Sequence, residues 1–160
     1  MSSQHTITAL GQNEAGTLNR LVSLFRRRGF SLASLNAADC EQEGFSRLTL
    51  VVNGDDTVLS QCVRQLQKLV EVVEVDDLPA RKAVQRELGI VQVEALPGKR
   101  SEVLEVVQVF GGKISHLSAD AMAVEFTGEP TQVDRLIGLL RPYGIREVVR
   151  TGVVAMRVEA

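Results

Sequence analysis

Residues 13–35 read Asn13-Glu14-Ala15-Gly16-Thr17-Leu18-Asn19-Arg20-Leu21-Val22-Ser23-Leu24-Phe25-Arg26-Arg27-Arg28-Gly29-Phe30-Ser31-Leu32-Ala33-Ser34-Leu35. Leu18, Leu21, Val22 and Phe25 fall at i, i+3, i+4 and i+7, so the stretch predicts a helix over 17–28 with one apolar face. Arg26, Arg27 and Arg28 occupy its last turn, where the helix dipole favours cations. Gly29 follows at the position of a left-handed C-terminal cap. An apolar strand, His5 to Leu10, precedes the helix, and Leu32 to Cys40 reads as a strand after it.

The start of this helix is the candidate functional point. The first N–H groups of a helix lack intrahelical partners and attract anions. Gly16 permits close approach to the backbone, and Asn13 carries an amide that both donates and accepts. Such a turn suits the carboxylate and ammonium of a free amino acid. The same residues read equally as a plain turn and cap.

Working outward, Glu41-Gln42-Glu43-Gly44 predicts a hairpin turn and Phe45 to Val52 a third strand. Asn53-Gly54 marks a turn, and Asp55 or Asp56 can cap the next helix. That helix lines up Leu59, Cys62, Val63 and Leu66, and Val70 to Val75 predicts a fourth strand. The order is β-α-β-β-α-β, a split βαβ with both helices on one face of an antiparallel sheet.

Leu78-Pro79-Ala80 is the candidate linker, followed by polar residues 81–87 that suit a short helical turn. The pattern then recurs: strand Leu88 to Ala95; a helix with Ser101 as N-cap and a stripe of Val103, Val106, Val107 and Phe110; a hairpin through Ser118 to Ala121; a helix opened by Pro130; and strand Ile145 to Val149. Thr151 to Met156 trails as an apolar tail. The expected fold class is α+β, two ferredoxin-like βαββαβ domains over residues 1–78 and 79–160. The second copy has a basic turn, Pro97-Gly98-Lys99-Arg100, in place of the Asn-x-x-Gly turn, which suggests divided roles.

Composition excludes several classes. The 160 residues are 44% hydrophobic and 24% charged, as in an ordinary globular chain. A net charge of −2 argues against general nucleic-acid binding. No apolar run approaches the roughly 20 residues that span a bilayer, and the N-terminus lacks signal-peptide features, so a cytoplasmic protein is expected. Cys40 and Cys62 form no C-x-x-C and read as reduced thiols. His5 and His116 are isolated, with no third ligand for a metal. There is no P-loop, nucleophile elbow or convergent pair of carboxylates.

Leu32 to Ala38 carries no charge, and in a split βαβ this strand lies at a sheet edge, which invites another strand. Pairing two copies there makes an eight-stranded sheet. It also carries Ser31 and Leu32 of one chain towards the Asn13–Thr17 turn of the other. A homodimer is therefore expected.

Larger matches come from the residues themselves. Asn13-Glu-x-Gly16-x-Leu18-x-Arg20, Leu24-Phe25-x-x-Arg28-Gly29-Phe30, Ser34-Leu35, Ser46-Arg47 and Gln65-Leu66-x-Lys68-Leu69-Val70 resemble the ACT domain of the small regulatory subunit of acetolactate (acetohydroxyacid) synthase. Arg86-Glu87-Leu88 and Arg150-Thr151-Gly152-Val153-Val154 resemble that family too, so the likeness covers almost the whole chain. It implies a non-catalytic subunit of branched-chain amino acid biosynthesis. Its partner is the large subunit, which holds thiamine diphosphate, Mg and FAD; this chain binds no cofactor. By position, Asn13, Gly16 and Thr17 hold the effector, valine or a related amino acid, and the facing chain adds Ser31 and Leu32. Members that respond to valine commonly carry Asn where this chain has Ser31. A free-standing tandem ACT-like amino-acid sensor and a small ferredoxin-like enzyme are the competing readings.

Overall fold

The computed structural model describes residues 3–158. The chain divides into two compact units: one takes it as far as Val84 and resumes at Val153, and the other is Gln85–Gly152.

In the first unit, β1 (Gln4–Gln12), α1 (Thr17–Arg28), β2 (Ser31–Asp39), β3 (Phe45–Asn53), α2 (Asp56–Leu66) and β4 (Val72–Asp77) follow in the expected order. The sheet runs β2-β3-β1-β4 and is antiparallel throughout. Ile7, Ala9, Leu48, Leu50 and Val52 point from its strands into Leu21, Leu24 and Phe25 of α1 and Leu59, Cys62 and Leu66 of α2. Both helices therefore cover the same face. The expected caps are in place. Gly29 is left-handed (φ 68°), with its N–H on the Arg26 carbonyl, and Asp55 accepts from the Val58 N–H at 2.9 Å.

The other face of this sheet is partly covered as well. Val51 and Leu78 are buried against Val153 and Ala155, and the Ala155 N–H donates to Thr49 Oγ1. The last strand, β9 (Val154–Arg157), supplies this cover, and Arg157 adds a two-pronged ion pair to Asp76 at 2.6 and 2.7 Å. The apolar tail is thus a strand of the first unit, and the boundary expected at residue 78 falls six residues early.

The second unit contains most of β5 (Ala83–Glu94), then α3 (Arg100–Val109), β6 (Lys113–Leu117), β7 (Ala121–Gly128), α4 (Pro130–Leu140) and β8 (Ile145–Arg150). Its sheet order, β6-β7-β5-β8, repeats the ferredoxin-like plan. Val103 and Val107 of α3 and Val133, Leu136, Ile137 and Leu140 of α4 fill its core with Val91, Val93, Met122 and Val124.

Three local expectations are corrected. Only Ala80–Lys82 forms a helical turn, and the strand begins at Ala83 instead of Leu88. The N-cap of α3 is Lys99, with Ser101 inside the helix. The fourth strand begins at Val72, leaving Val70 87% exposed. No helix among the described residues is long and apolar enough to cross a membrane.

Candidate functional site

A cleft of about 350 Å³ opens at the start of α1, lined by the Gln12–Leu18 turn, by Ala37, Ala38 and Asp39 at the end of β2, and by Ser46 and Leu48 of β3. Its size falls at the low end of small-molecule pockets, roughly 300–1,000 Å³.

The turn is built by hydrogen bonds on both sides. The Asn13 N–H donates to the Gly44 carbonyl and the Gln12 N–H to the Glu71 carbonyl, both at 2.8 Å. Gly16 is the N-cap at φ 99°, a left-handed conformation that side-chain-bearing residues rarely adopt. Having no side chain, it gives the first turn of α1 no side-chain cap, and the Thr17 N–H there donates to the Glu14 carbonyl at 3.2 Å. Arg20, one turn on, pairs with the largely buried carboxylate of Glu71 at 2.6 Å and ties α1 to the approach to β4.

The expected residues divide into two groups. Asn13, Gly16 and Thr17 line the cleft together. Thr17 is only 6% exposed and its hydroxyl donates to the Gln12 carbonyl at 3.0 Å, so it braces the turn. Ser31 and Leu32 do not meet them within one chain. Ser31 lies opposite Asn53, whereas Asp39 lies opposite Ser46. At about 3.3 Å per residue, the length of β2 keeps Ser31 some 26 Å from the cleft end. The Ser31 hydroxyl accepts from the Asn53 amide at 3.0 Å.

Asp39 is the residue the sequence reading missed. Its carboxylate accepts from Asn13 Nδ2 at 2.9 Å and stands at the rim of the cleft. The cleft lining thus combines the start of α1 with the Asp39 carboxylate and the Asn13 amide. That polarity suits a zwitterion, whose carboxylate and ammonium need opposite partners. The available signal was register: a hairpin returning Phe45 opposite Gln12 also brings the end of β2 beside the end of β1.

Beta2 has β3 on one side and forms the sheet edge on the other. Were two copies to pair antiparallel along β2 about Leu35, Ser31 of one would stand opposite Asp39 of the other.

Residues 7–74 match the family model of an AHAS small subunit-like ACT domain, and residues 86–159 match that of the small subunit of acetolactate synthase. A probable acetolactate synthase small subunit of Archaeoglobus fulgidus is 43% identical over 153 residues, covering 96% of each chain. The chain belongs to the acetolactate synthase small-subunit family. The small subunit of Aquifex aeolicus is 38% identical, over 98% of this chain and 82% of its own. The crystal structure of the small subunit from Thermotoga maritima superimposes with a TM-score of 0.90 at 34% identity, covering 99% of both chains. Within this family the ACT-domain match contains the whole cleft, from Gln12 to Leu48.

Proposed function

We propose that this chain is the regulatory subunit of acetolactate synthase. It docks on the thiamine-diphosphate-dependent large subunit, where the Mg and FAD of the holoenzyme also reside, raises its activity, and confers feedback inhibition by valine or a related branched-chain amino acid. The chain acts as a homodimer in the cytoplasm. The effector lies at the β2 seam, with its carboxylate on the α1 N-terminus, its ammonium near Asp39, and Ser31 and Leu32 of the facing chain closing the site.

The observation that carries this reading is a cleft lined by both the start of α1 and Asp39 of an edge strand, in a chain of this family. The mechanism is a change in population. The effector shifts the complex only by its difference in affinity for the active and inhibited arrangements.

Reconstitution tests it. Titrating this chain into a purified large subunit should raise acetolactate output to a plateau, and one of valine, leucine or isoleucine should then lower it. Output that stays flat across the titration defeats the activating role. Activation that none of the three amino acids reverses defeats the feedback role.

A further inference from the structure

The two helices of the first unit differ in charge from everything else in the chain. α1, α2 and the two residues after α2 carry Arg20, Arg26, Arg27, Arg28, Arg64 and Lys68, against the single acid Asp56. The chain as a whole has net charge −2, so the remainder is acidic. The matching helices of the second unit show the ordinary mixture: Glu102, Glu105 and Asp134 outnumber Arg100 and Arg135. Arg100 is moreover turned onto the Ala95 and Ser118 carbonyls.

Helix dipoles account for part of this, since cations suit the last turn of α1. They do not account for the absence of any acid on α1. The residues four before Arg26, Arg27 and Arg28 are Val22, Ser23 and Leu24, so none of the three has an i–4 acid to pair with. Among the described residues, only Arg20 of these cations has an ion pair, with Glu71. Three of the others converge. Arg27, Arg28 and Lys68, with Leu24, Gln65 and Leu69, line a cleft of about 390 Å³ between the ends of the two helices. Like charges gathered within a Debye length of about 8 Å repel one another, so the cluster disfavours the isolated fold. The same cleft also holds the apolar side chains of Leu24 and Leu69, and arginine is enriched at interfaces.

We propose that this face, centred on the Arg27, Arg28 and Lys68 cleft, is the docking surface for an acidic patch on the synthase large subunit. The inference rests on the functional reading above and adds the location and chemistry of the contact. Carboxylates of the partner enter the cleft between α1 and α2, which Leu24 and Leu69 also line. The contact is steered by charge, so its association rate falls with salt.

The test is activation of the large subunit as a function of small-subunit concentration. It uses wild type, Arg27→Glu/Arg28→Glu, Arg27→Lys/Arg28→Lys, and the control Arg135→Glu on α4. The Glu double variant should need at least tenfold more protein for half-maximal activation, with folding unchanged by circular dichroism. The Lys double variant and the control should follow wild type. Raising salt from 50 to 300 mM should weaken wild type more than the Glu variant. A wild type that never activates sinks the functional reading. A wild type that activates while the Glu variant does so at the same concentration sinks the surface alone. Three other outcomes also overturn it. The Glu variant could change only oligomeric state, which assigns the face to a second copy. Wild type could bind duplex DNA in a way the Glu variant does not. A Glu variant that fails to fold would be replaced by Lys68→Glu, and activation by that variant at the wild-type concentration overturns the surface equally.

Discussion

The Asn13 amide donates to the Asp39 carboxylate at 2.9 Å, joining the turn after β1 to the last residue of β2 at the mouth of the α1 cleft. The bond is exposed, so its loss should cost folding under about 1 kcal/mol. Its value lies in holding a carboxylate opposite the helix start. Asp39→Ala should weaken the effector response by 10- to 100-fold, the worth of a charged hydrogen bond of about 1.5–3 kcal/mol. Activation of the large subunit should be unchanged. Inhibition curves for the reconstituted enzyme give the answer.

Gly16 and Gly29 bracket α1, both left-handed. An alanine at Gly29 meets nothing within 4 Å, so Gly29→Ala should cost only the backbone term of about 1–2 kcal/mol. An alanine at Gly16 pays the same backbone term, and its Cβ also reaches Arg20 Nη1 at 3.4 Å. Gly16→Ala should therefore be at least as destabilising in urea titrations. It should also disturb the effector response, which Gly29→Ala should leave intact.

If two copies meet along β2 centred on Leu35, Ser34 of one chain faces Asn36 of the other. Lysines opposite one another across a strand pair are destabilising. Ser34→Lys/Asn36→Lys should be monomeric by light scattering at micromolar concentration where wild type is dimeric. The variant should lose feedback response. A variant that remains dimeric moves the seam elsewhere.

Cys62 is fully buried between α2 and the sheet, and burial pushes its thiol up to about 11. In the unfolded chain a thiol ionises near 8.5, so between those pH values the unfolded state sheds a proton that the folded state keeps. Stability from this group is complete below about pH 8.5 and is lost as pH climbs through about 11, a total of about 3 kcal/mol. In a Cys40→Ser background, denaturation at pH 8 and pH 10.5 should show this fall, and Cys62→Ala should remove that part of it. Cys40, half-buried in the hairpin turn, should react with thiol reagents first.

Glu87 is 4% exposed and held in a fork by Arg150, at 2.7 Å from both Nε and Nη2, while Asp134 takes Nη1. These two carboxylates hold the guanidinium proton more tightly than usual. Arg150→Met leaves a carboxylate buried without its partner and should cost about 3–5 kcal/mol. Glu87→Gln/Arg150→Met should recover much of that loss, which a thermal melt of the full chain can read.

Much of this architecture could be read from local chemistry. The α1 stripe, the Gly29 cap and the Asp55 cap each rest on residues within one turn of where they act. The same stretch pointed to Asn13 and Gly16 as cleft residues. What stayed hidden depends on distant partners. Strand β5 looked polar from Ala83 to Glu87 because its buried position carries Glu87, and that charge is tolerable only through Arg150, sixty-three residues on. Ser101 has the better N-cap side chain, yet α3 starts at Arg100, whose guanidinium is held by carbonyls near the β6–β7 turn. Asp39 looked like the charge that ends an apolar edge. Its bond to Asn13 is a matter of register, which composition does not encode.

The packing of Val153 and Ala155 against Val51 and Leu78 returns the end of the chain to the first unit, so the second unit is an insertion entered and left by two crossings of the chain. A protein shortened at Leu78 would therefore lose the lining of Val51 and Leu78 and present a sticky scar to solvent. To isolate the first unit intact, Gln85–Gly152 must be excised and the severed ends rejoined, keeping the final strand.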